Sequence, residues 1–104
     1  METKGWTAGI LDGEGYIAIT DNRAVVRVDN TDIRILQKLA QNWGGKIYEN
    51  RRNFRPNSKK IWFWIITGWK AIPFLIEIEP YLVSKSERAR KAIEFYKEKS
   101  KSFP

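Results

Sequence analysis

Thr7-Ala8-Gly9-Ile10-Leu11-Asp12-Gly13-Glu14-Gly15, running on into Tyr16-Ile17-Ala18-Ile19-Thr20, is where residue types conflict most with ordinary local rules. Residues 4–13 read as a short helix, with Trp6 and Ile10 as large apolar groups and Ala8, Gly9 and Gly13 as small ones. Glycine costs helix stability, so Gly5, Gly9 and Gly13 at four-residue spacing require a reason. Close approach of another helix along that face is a good one. Asp12 and Glu14 fall where the helix ends and face the negative end of its dipole, which is locally unfavourable. A conflict of this kind is what a functional site leaves in a sequence. Its physical use is a hard cation: one or two carboxylates, waters and a substrate phosphate complete an octahedral Mg²⁺ site. A glycine C-cap followed by a solvated turn accounts for the same residues without any chemistry.

Working outward, Tyr16 to Thr20 alternates as a strand, Asp21-Asn22 is a turn signal, and Ala24 to Val28 closes a hairpin. Asp29, Asn30 and Thr31 offer an N-cap to a helix carrying Ile33, Leu36, Leu39, Ala40 and Trp43, which Gly44-Gly45 ends. Lys46 to Asn50 and Lys60 to Ile66 form a second hairpin across a long basic loop. Its second strand, Ile61-Trp62-Phe63-Trp64-Ile65-Ile66, is apolar at every position, so both of its faces should be covered. A third helix spans about 70–82, with Pro73 in its first turn or at a kink. Ser84 and Glu87 suit a capping box for a last helix whose apolar face is Ala89, Ala92, Ile93 and Tyr96. The order αββαββα plus a C-terminal helix predicts one α+β domain over residues 1–104 with an antiparallel sheet.

Composition narrows the chemistry. The 104 residues contain no Cys and no His, which excludes disulfides, thiolate or imidazole metal sites and nucleases built on a His base. Any metal must sit on oxygen ligands. No apolar run approaches the length of a membrane span and no charged-then-apolar leader opens the chain, so a soluble, intracellular protein is expected. The formal net charge is +7, and it is unevenly spread. Residues 1–52 hold eight basic and seven acidic groups, whereas residues 53–104 hold eleven and five. From Lys46 to Lys60 the basic groups Lys46, Arg51, Arg52, Arg55, Lys59 and Lys60 meet only Glu49, amid amides and aromatics. That mixture suits a phosphate backbone with base edges beside it. A solvated hairpin kept soluble by its charges is the plainer alternative.

The stretch Thr7 to Gly15, with Tyr16 and Ile17 after it, resembles the signature of the LAGLIDADG homing endonucleases. It shares with that signature Ala, Gly, two aliphatics, Asp, a small residue, an acid and Gly in order, with Glu14 in place of the final Asp. Pro80-Tyr81-Leu82-Val83-Ser84-Lys85 is similar to the segment where that family places an active-site lysine. The resemblance implies the αββαββα fold with a four-stranded saddle sheet. Because only one motif is present, it also implies a homodimer joined through Ala8, Gly9, Asp12 and Gly13, acting on a near-palindromic duplex. The function it implies is Mg²⁺-dependent double-strand cleavage of DNA, with Mn²⁺ as an alternative ion and Ca²⁺ as a non-cleaving substitute. The setting it suggests is a mobile intron in a prokaryote, a phage-infected cell or an organelle.

Carried over residue by residue, Glu14 matches the metal ligand, with the Gly13 carbonyl beside it. Each Glu14 with bound cations would hold a scissile phosphate while the metal activates water and stabilises the phosphorane and the leaving 3′ oxygen. Asp12 bonds either backbone amides or the partner helix. Lys85 either stabilises transition-state charge or flanks the capping box in solvent. Asn30 and Arg34 either order active-site water or serve locally, Asn30 as the N-cap and Arg34 in an ion pair with Asp32 or Glu49.

In that family the sheet lies in the major groove. Counting by twos then puts Tyr16, Thr20 and Asn22 toward DNA on the first strand, and Ile17 and Ile19 in the core. The second strand offers Arg23 and Arg27, with Val26 and Val28 inward; the third offers Lys46, Tyr48 and Asn50, with Ile47 inward. On the fourth strand, Ile61, Phe63 and Ile65 inward leaves Lys60, Trp62 and Trp64 outward. Arg23 and Arg27 are the guanine-contact candidates, and Arg51, Arg52, Arg55 and Lys59 the phosphate contacts. A different class of function uses the same fold to bind without cutting, as an intron RNA maturase or a DNA-binding regulator. Retention of an acid at Glu14 favours cleavage.

Overall fold

The fold comes from a computed structural model, which describes residues 3–51 and 60–101, the side chain of Lys101 excepted. The elements run α1 (Thr3–Glu14), β1 (Gly15–Thr20), β2 (Arg23–Asn30), α2 (Ile33–Trp43), β3 (Lys46–Glu49), β4 (Trp62–Thr67), α3 (Ala71–Ile78) and α4 (Ser86–Lys101). Short 3₁₀ turns at Gly68–Lys70 and Glu79–Tyr81 flank α3. The order is the expected one, and Pro73 falls in the first turn of α3, where its missing N–H costs nothing. The third helix is shorter than the sequence suggests, because the chain tightens into the 3₁₀ turn that contains Pro80.

The strands form one antiparallel sheet in the order β1-β2-β4-β3. Asp21 and Asn22 both adopt positive φ (51° and 62°), the two-residue turn that matches strand twist and joins β1 to β2. β2 and β4 are the central strands, with Val26 opposite Ile66 and Val28 opposite Trp64. Helices cover one face of the sheet. Their buried groups, among them Leu11, Leu36, Leu39, Leu75, Ala89 and Tyr96, close on Ile17, Val26, Val28, Trp64 and Ile66.

That pairing corrects the reading of β4. Trp64 is 0% exposed and Trp62 packs against the core, so Trp62, Trp64 and Ile66 point inward while Phe63 and Ile65 take the open face. The indole N–H of Trp64 donates to the Gly44 carbonyl at the end of α2 (2.7 Å), and its ring meets Phe74 edge-on at 5.6 Å. An inward tryptophan is therefore fully satisfied, and the expected cost of exposing two of them on the bare face does not arise. Ile19 has core-side parity but is 36% exposed, because β1 is an edge strand.

Two caps also differ from expectation. Asp32, not Asp29, Asn30 or Thr31, is the N-cap of α2; its carboxylate accepts from the Arg34 amide at 3.1 Å. Ser84 forms no capping box, because its hydroxyl donates to Asp12 Oδ1 at 3.0 Å and α4 begins at Ser86. No helix among the described residues is long and apolar enough to cross a membrane.

Candidate nuclease site and nucleic-acid interface

The site grows out of the junction between α1 and β1, which has no loop: Glu14 ends the helix and Gly15 starts the strand. Gly15 is required there by space. A Cβ on it would stand 2.8 Å from Leu11 Cα and 2.9 Å from the Leu11 carbonyl oxygen, backbone atoms that cannot yield. Thr7 anchors the same helix from inside, its buried hydroxyl accepting the Trp43 indole N–H at 2.9 Å.

The two acids at this junction have different surroundings. Asp12 accepts from the amides of Val83 (2.8 Å) and Lys85 (3.0 Å) and from the Ser84 hydroxyl (3.0 Å). Burial pushes its carboxyl upward in pKa, but these donors outweigh that and hold it below the ordinary carboxylate value. Lys85 returns the contact by donating Nζ to the Asp12 carbonyl at 2.8 Å, a cation at the negative end of α1. Asp12 and Lys85 thus bind the entry to α4 onto the end of α1, and the amide-bonding alternative for Asp12 is the one realised.

Glu14 is exposed, and Asn30 Nδ2 donates to its Oε2 at 2.6 Å. The orientation of Asn30 is fixed from behind, since its Oδ1 accepts from the Asp32 amide at 2.8 Å. Asp32 in turn takes both Nε and Nη2 of Arg34, each at 2.9 Å, and this pairing holds its carboxyl below the usual range. Arg34 therefore stands three hydrogen-bond links away from Glu14, in the ion-pair alternative with Asp32, its side chain 84% exposed. Asn30, Glu14 and Lys85 are brought to one end of α1; Arg34 reaches them only through Asp32 and Asn30.

The oxygen donors at this end are of the type a hard divalent cation takes: the Glu14 carboxylate and the Gly13 carbonyl in the last turn of α1. No group of three or more metal-binding side chains occurs among the described residues. One carboxylate fits such an ion only as part of a donor set whose other positions water or phosphate would fill.

Ala8 departs from the expected helix–helix face: it is 1% exposed and packed in the chain's own core. Gly9 and Gly13 lie on the other side of α1, both exposed, and an added Cβ at either would meet nothing within 4 Å.

The sheet's open face carries most of the expected recognition residues. Tyr16, Arg27, Ile65 and Lys46 form one cross-strand row, and Tyr48 pairs with Phe63 in the next. Tyr16 and Tyr48 are about half exposed. Arg27 is held rigidly: Nε and Nη2 bond Asp29 at 2.7 and 3.0 Å, and its guanidinium lies 3.8 Å from the centroid of Phe63. The Arg27 hydrogen bond outweighs burial and lowers the Asp29 pKa, and Asn50 Nδ2 adds a longer bond at 3.3 Å. Arg23 donates to Thr67 Oγ1 at 3.2 Å, and Thr20 lies opposite it. Asn22 sits in the hairpin turn, its carbonyl accepting from Lys99. Arg51 and Lys60 are exposed on either side of residues 52–59, and Arg52, Arg55 and Lys59 lie outside the described residues. Asp29 and Phe63 were not singled out by sequence; the signal for Asp29 was an acid two residues after an outward Arg on one strand.

No family model matches the chain, and no curated protein matches it. Solved structures do. The chain is similar to the homing endonuclease I-CvuI in complex with its target in the presence of Ca, with a TM-score of 0.73 and 19% identity over 88% of this chain. It spans 63% of the I-CvuI chain, just under two thirds. It is also similar to the archaeal intron-encoded homing endonuclease I-Vdi141I complexed with DNA (TM-score 0.61, 14% identity, 97% of this chain and 84% of that one). A third likeness is to the meganuclease I-SmaMI bound to uncleavable DNA (TM-score 0.69, 14% identity, 97% of this chain and 38% of that one). At these identities the likeness is one of fold, and it agrees with the residues quoted above: this chain has the fold of the LAGLIDADG homing endonucleases.

Proposed function

We propose that the chain is a site-specific DNA endonuclease that works as a symmetric pair of copies and makes double-strand breaks. The observation that carries this reading is Glu14, an exposed carboxylate oriented by Asn30 at the end of a helix whose other acid is already satisfied. A pure binder has no use for that charge beside phosphates.

Each copy would contribute one Glu14, with the Gly13 carbonyl, to hold a divalent cation beside the phosphate. A cation held there would supply an activated water and offset the charge that builds up in the transition state. Asn30 fixes the Glu14 carboxylate and donates to it without competing for its second oxygen. Lys85 keeps an ammonium at the end of α1 and spends only one of its N–H groups on the Asp12 carbonyl, leaving donors for charge that develops on phosphate. The open sheet face positions the duplex: Arg27 offers a pre-oriented guanidinium to base edges, and Lys46, Arg51 and Lys60 are cations for the backbone. Pairing of two copies is supported by the open Gly9 and Gly13 face of α1, where a second helix could come to backbone contact.

Cleavage of a randomised duplex library tests the reading, run with Mg²⁺ beside Ca²⁺. Mg²⁺-dependent double-strand breaks at a near-palindromic site support it. Selection of sites with no breaks would replace it with a DNA-binding role, and no enrichment at all would make structured RNA the ligand to test.

A further inference from the structure

β1 is an edge strand, and its outer edge is bare. The two-residue turn at Asp21-Asn22 makes Thr20 and Arg23 a hydrogen-bonded pair. By alternation Ala18 and Tyr16 also bond β2, while the N–H and C=O of Ile17 and Ile19 point away from it. Ala24, opposite Ile19, obeys the same alternation: its N–H turns from β1 and donates to the Tyr96 hydroxyl at 3.1 Å. No described residue bonds the outward groups of Ile17 or Ile19. Proteins commonly blunt such an edge with a charge, a proline or a bulge. Gly15–Thr20 has no charged residue and no proline, and its pairing with β2 runs without a bulge. Beside the edge lies a groove of about 470 Å³, walled by Ile17, Ala18 and Ile19 and, across from them, by Glu87, Arg88 and Lys91 of α4. Three consecutive strand residues in one wall mean that the backbone edge forms it, since side chains alternate between faces. Ile19, 36% exposed, adds apolar surface. Glu87 already pairs with Lys91 at 3.4 Å, so Arg88 is exposed and has no acidic partner among the described residues.

We propose that this edge takes up an extended acidic peptide segment of a partner protein as an added strand, with an apolar side chain over Ile19 and a carboxylate on Arg88. An extended backbone is the occupant that matches outward donors and acceptors on every second residue. The uncompensated guanidinium of Arg88 calls for an acid in that occupant. A second copy paired β1 to β1 fits less well, because it would bring the Arg88 and Lys91 cations of both copies to one seam. The site does not depend on the nuclease reading: an added strand lies in the plane of the sheet, at its edge, and leaves the open face to the duplex.

The test adds to the full chain a fluorescein-labelled peptide of about seven residues, alternating valine and threonine with a glutamate at each end, and follows anisotropy. Saturable binding should appear below about 1 mM peptide. By NMR, amide exchange should slow at Ile17 and Ile19 and stay as it was at Ala18, which already bonds β2. Arg88→Ala should weaken binding about fivefold, whereas Arg90→Ala, which removes a cation paired with Glu79 outside the groove, should match the wild type. Two further peptides leave the protein untouched: each is N-methylated on one alternating set of amides. One should lose binding and the other keep it, because only every second residue of an added strand bonds the edge. Equal behaviour of the two methylated peptides, no binding at about 1 mM, or an Arg88→Ala affinity equal to the wild type would overturn the proposal. Protection of Ile17 and Ile19 by raising the concentration of the chain alone would give the edge to a second copy instead, and protection by a random-sequence duplex would give it to DNA.

Discussion

Asp12 and Glu14 lie two residues apart at the end of one helix, and the fold treats them in opposite ways. Asp12 is surrounded by donors from a segment more than seventy positions later: two amides, a hydroxyl and the returning ammonium of Lys85. Among the described residues Glu14 has one side-chain partner, Asn30, and it faces solvent. The unfavourable meeting of two acids with a helix C-terminus is thus half resolved within the chain. What is left over is a single oriented carboxylate. A motif with two acids therefore need not place both in the chemistry; hydrogen-bond accounting separates the structural acid from the spare one.

The largest effect expected from this contrast is on Glu14. Glu14→Gln keeps the shape and the hydrogen bond from Asn30 but removes the charge, so cleavage should fall by at least about a thousandfold, with urea unfolding and duplex affinity little changed. Asp12→Ala should act on the other axis. It removes the acceptor of the Val83 and Lys85 amides and should cost about 1 kcal/mol of unfolding free energy, since water can reach the freed N–H groups. Acid titration of the wild type should report the same group. A carboxylate whose pKa is depressed in the folded chain adds stability that is complete above its unfolded value of about 3.9 and is lost as pH falls through the lower folded value. Stability should therefore be level above about pH 5 and decline below about pH 4, and Asp12→Asn should flatten part of that decline. Asp29 and Asp32, lowered by their arginine partners, add to the slope in the same direction.

The smallest of these effects should come from Asn30, a positioning residue. Asn30→Ala leaves Glu14 charged but unaligned. Cleavage should drop about tenfold, through kcat rather than KM, and the Mg²⁺ concentration required should rise. An Asn30→Ala loss confined to KM would break the contrast by showing that the amide contacts DNA and not Glu14.

How much of this was legible in the sequence follows the range of the interactions. The α1 stretch, the Asp21-Asn22 turn, the Gly44 helix end and the element order are written in local residue types, and all appear in the fold. The face of β4 was not legible, because both of its alternating sets are apolar: Trp62, Trp64 and Ile66 against Ile61, Phe63 and Ile65. Only its pairing with β2, which places Val28 beside Trp64, decides between them, and that neighbour is some thirty-six positions away. Ser84 failed as a cap for a similar reason, since Asp12 competes for its hydroxyl from across the fold. The cap of α2 was missed by one residue in a run of polar groups where several can serve. Ala8 was misassigned because a small residue beside Gly9 suits an interface and a tight core equally, and a rotation of one helical position separates them. Asn30 was legible as a site residue but not its role, which depends on the Asp32 amide that holds it from behind.

The most direct test of the central claim places both acids in one experiment. Asp12→Asn and Glu14→Gln are made separately, and for each the unfolding free energy in urea and the Mg²⁺-dependent cleavage rate of one selected duplex are measured under the same buffer and salt. A crossed result is expected. Glu14→Gln retains the wild-type unfolding free energy and loses cleavage, whereas Asp12→Asn loses stability and, at temperatures where it remains folded, retains cleavage. Glu14→Gln cutting at the wild-type rate, or a stable Asp12→Asn that no longer cuts, would contradict it.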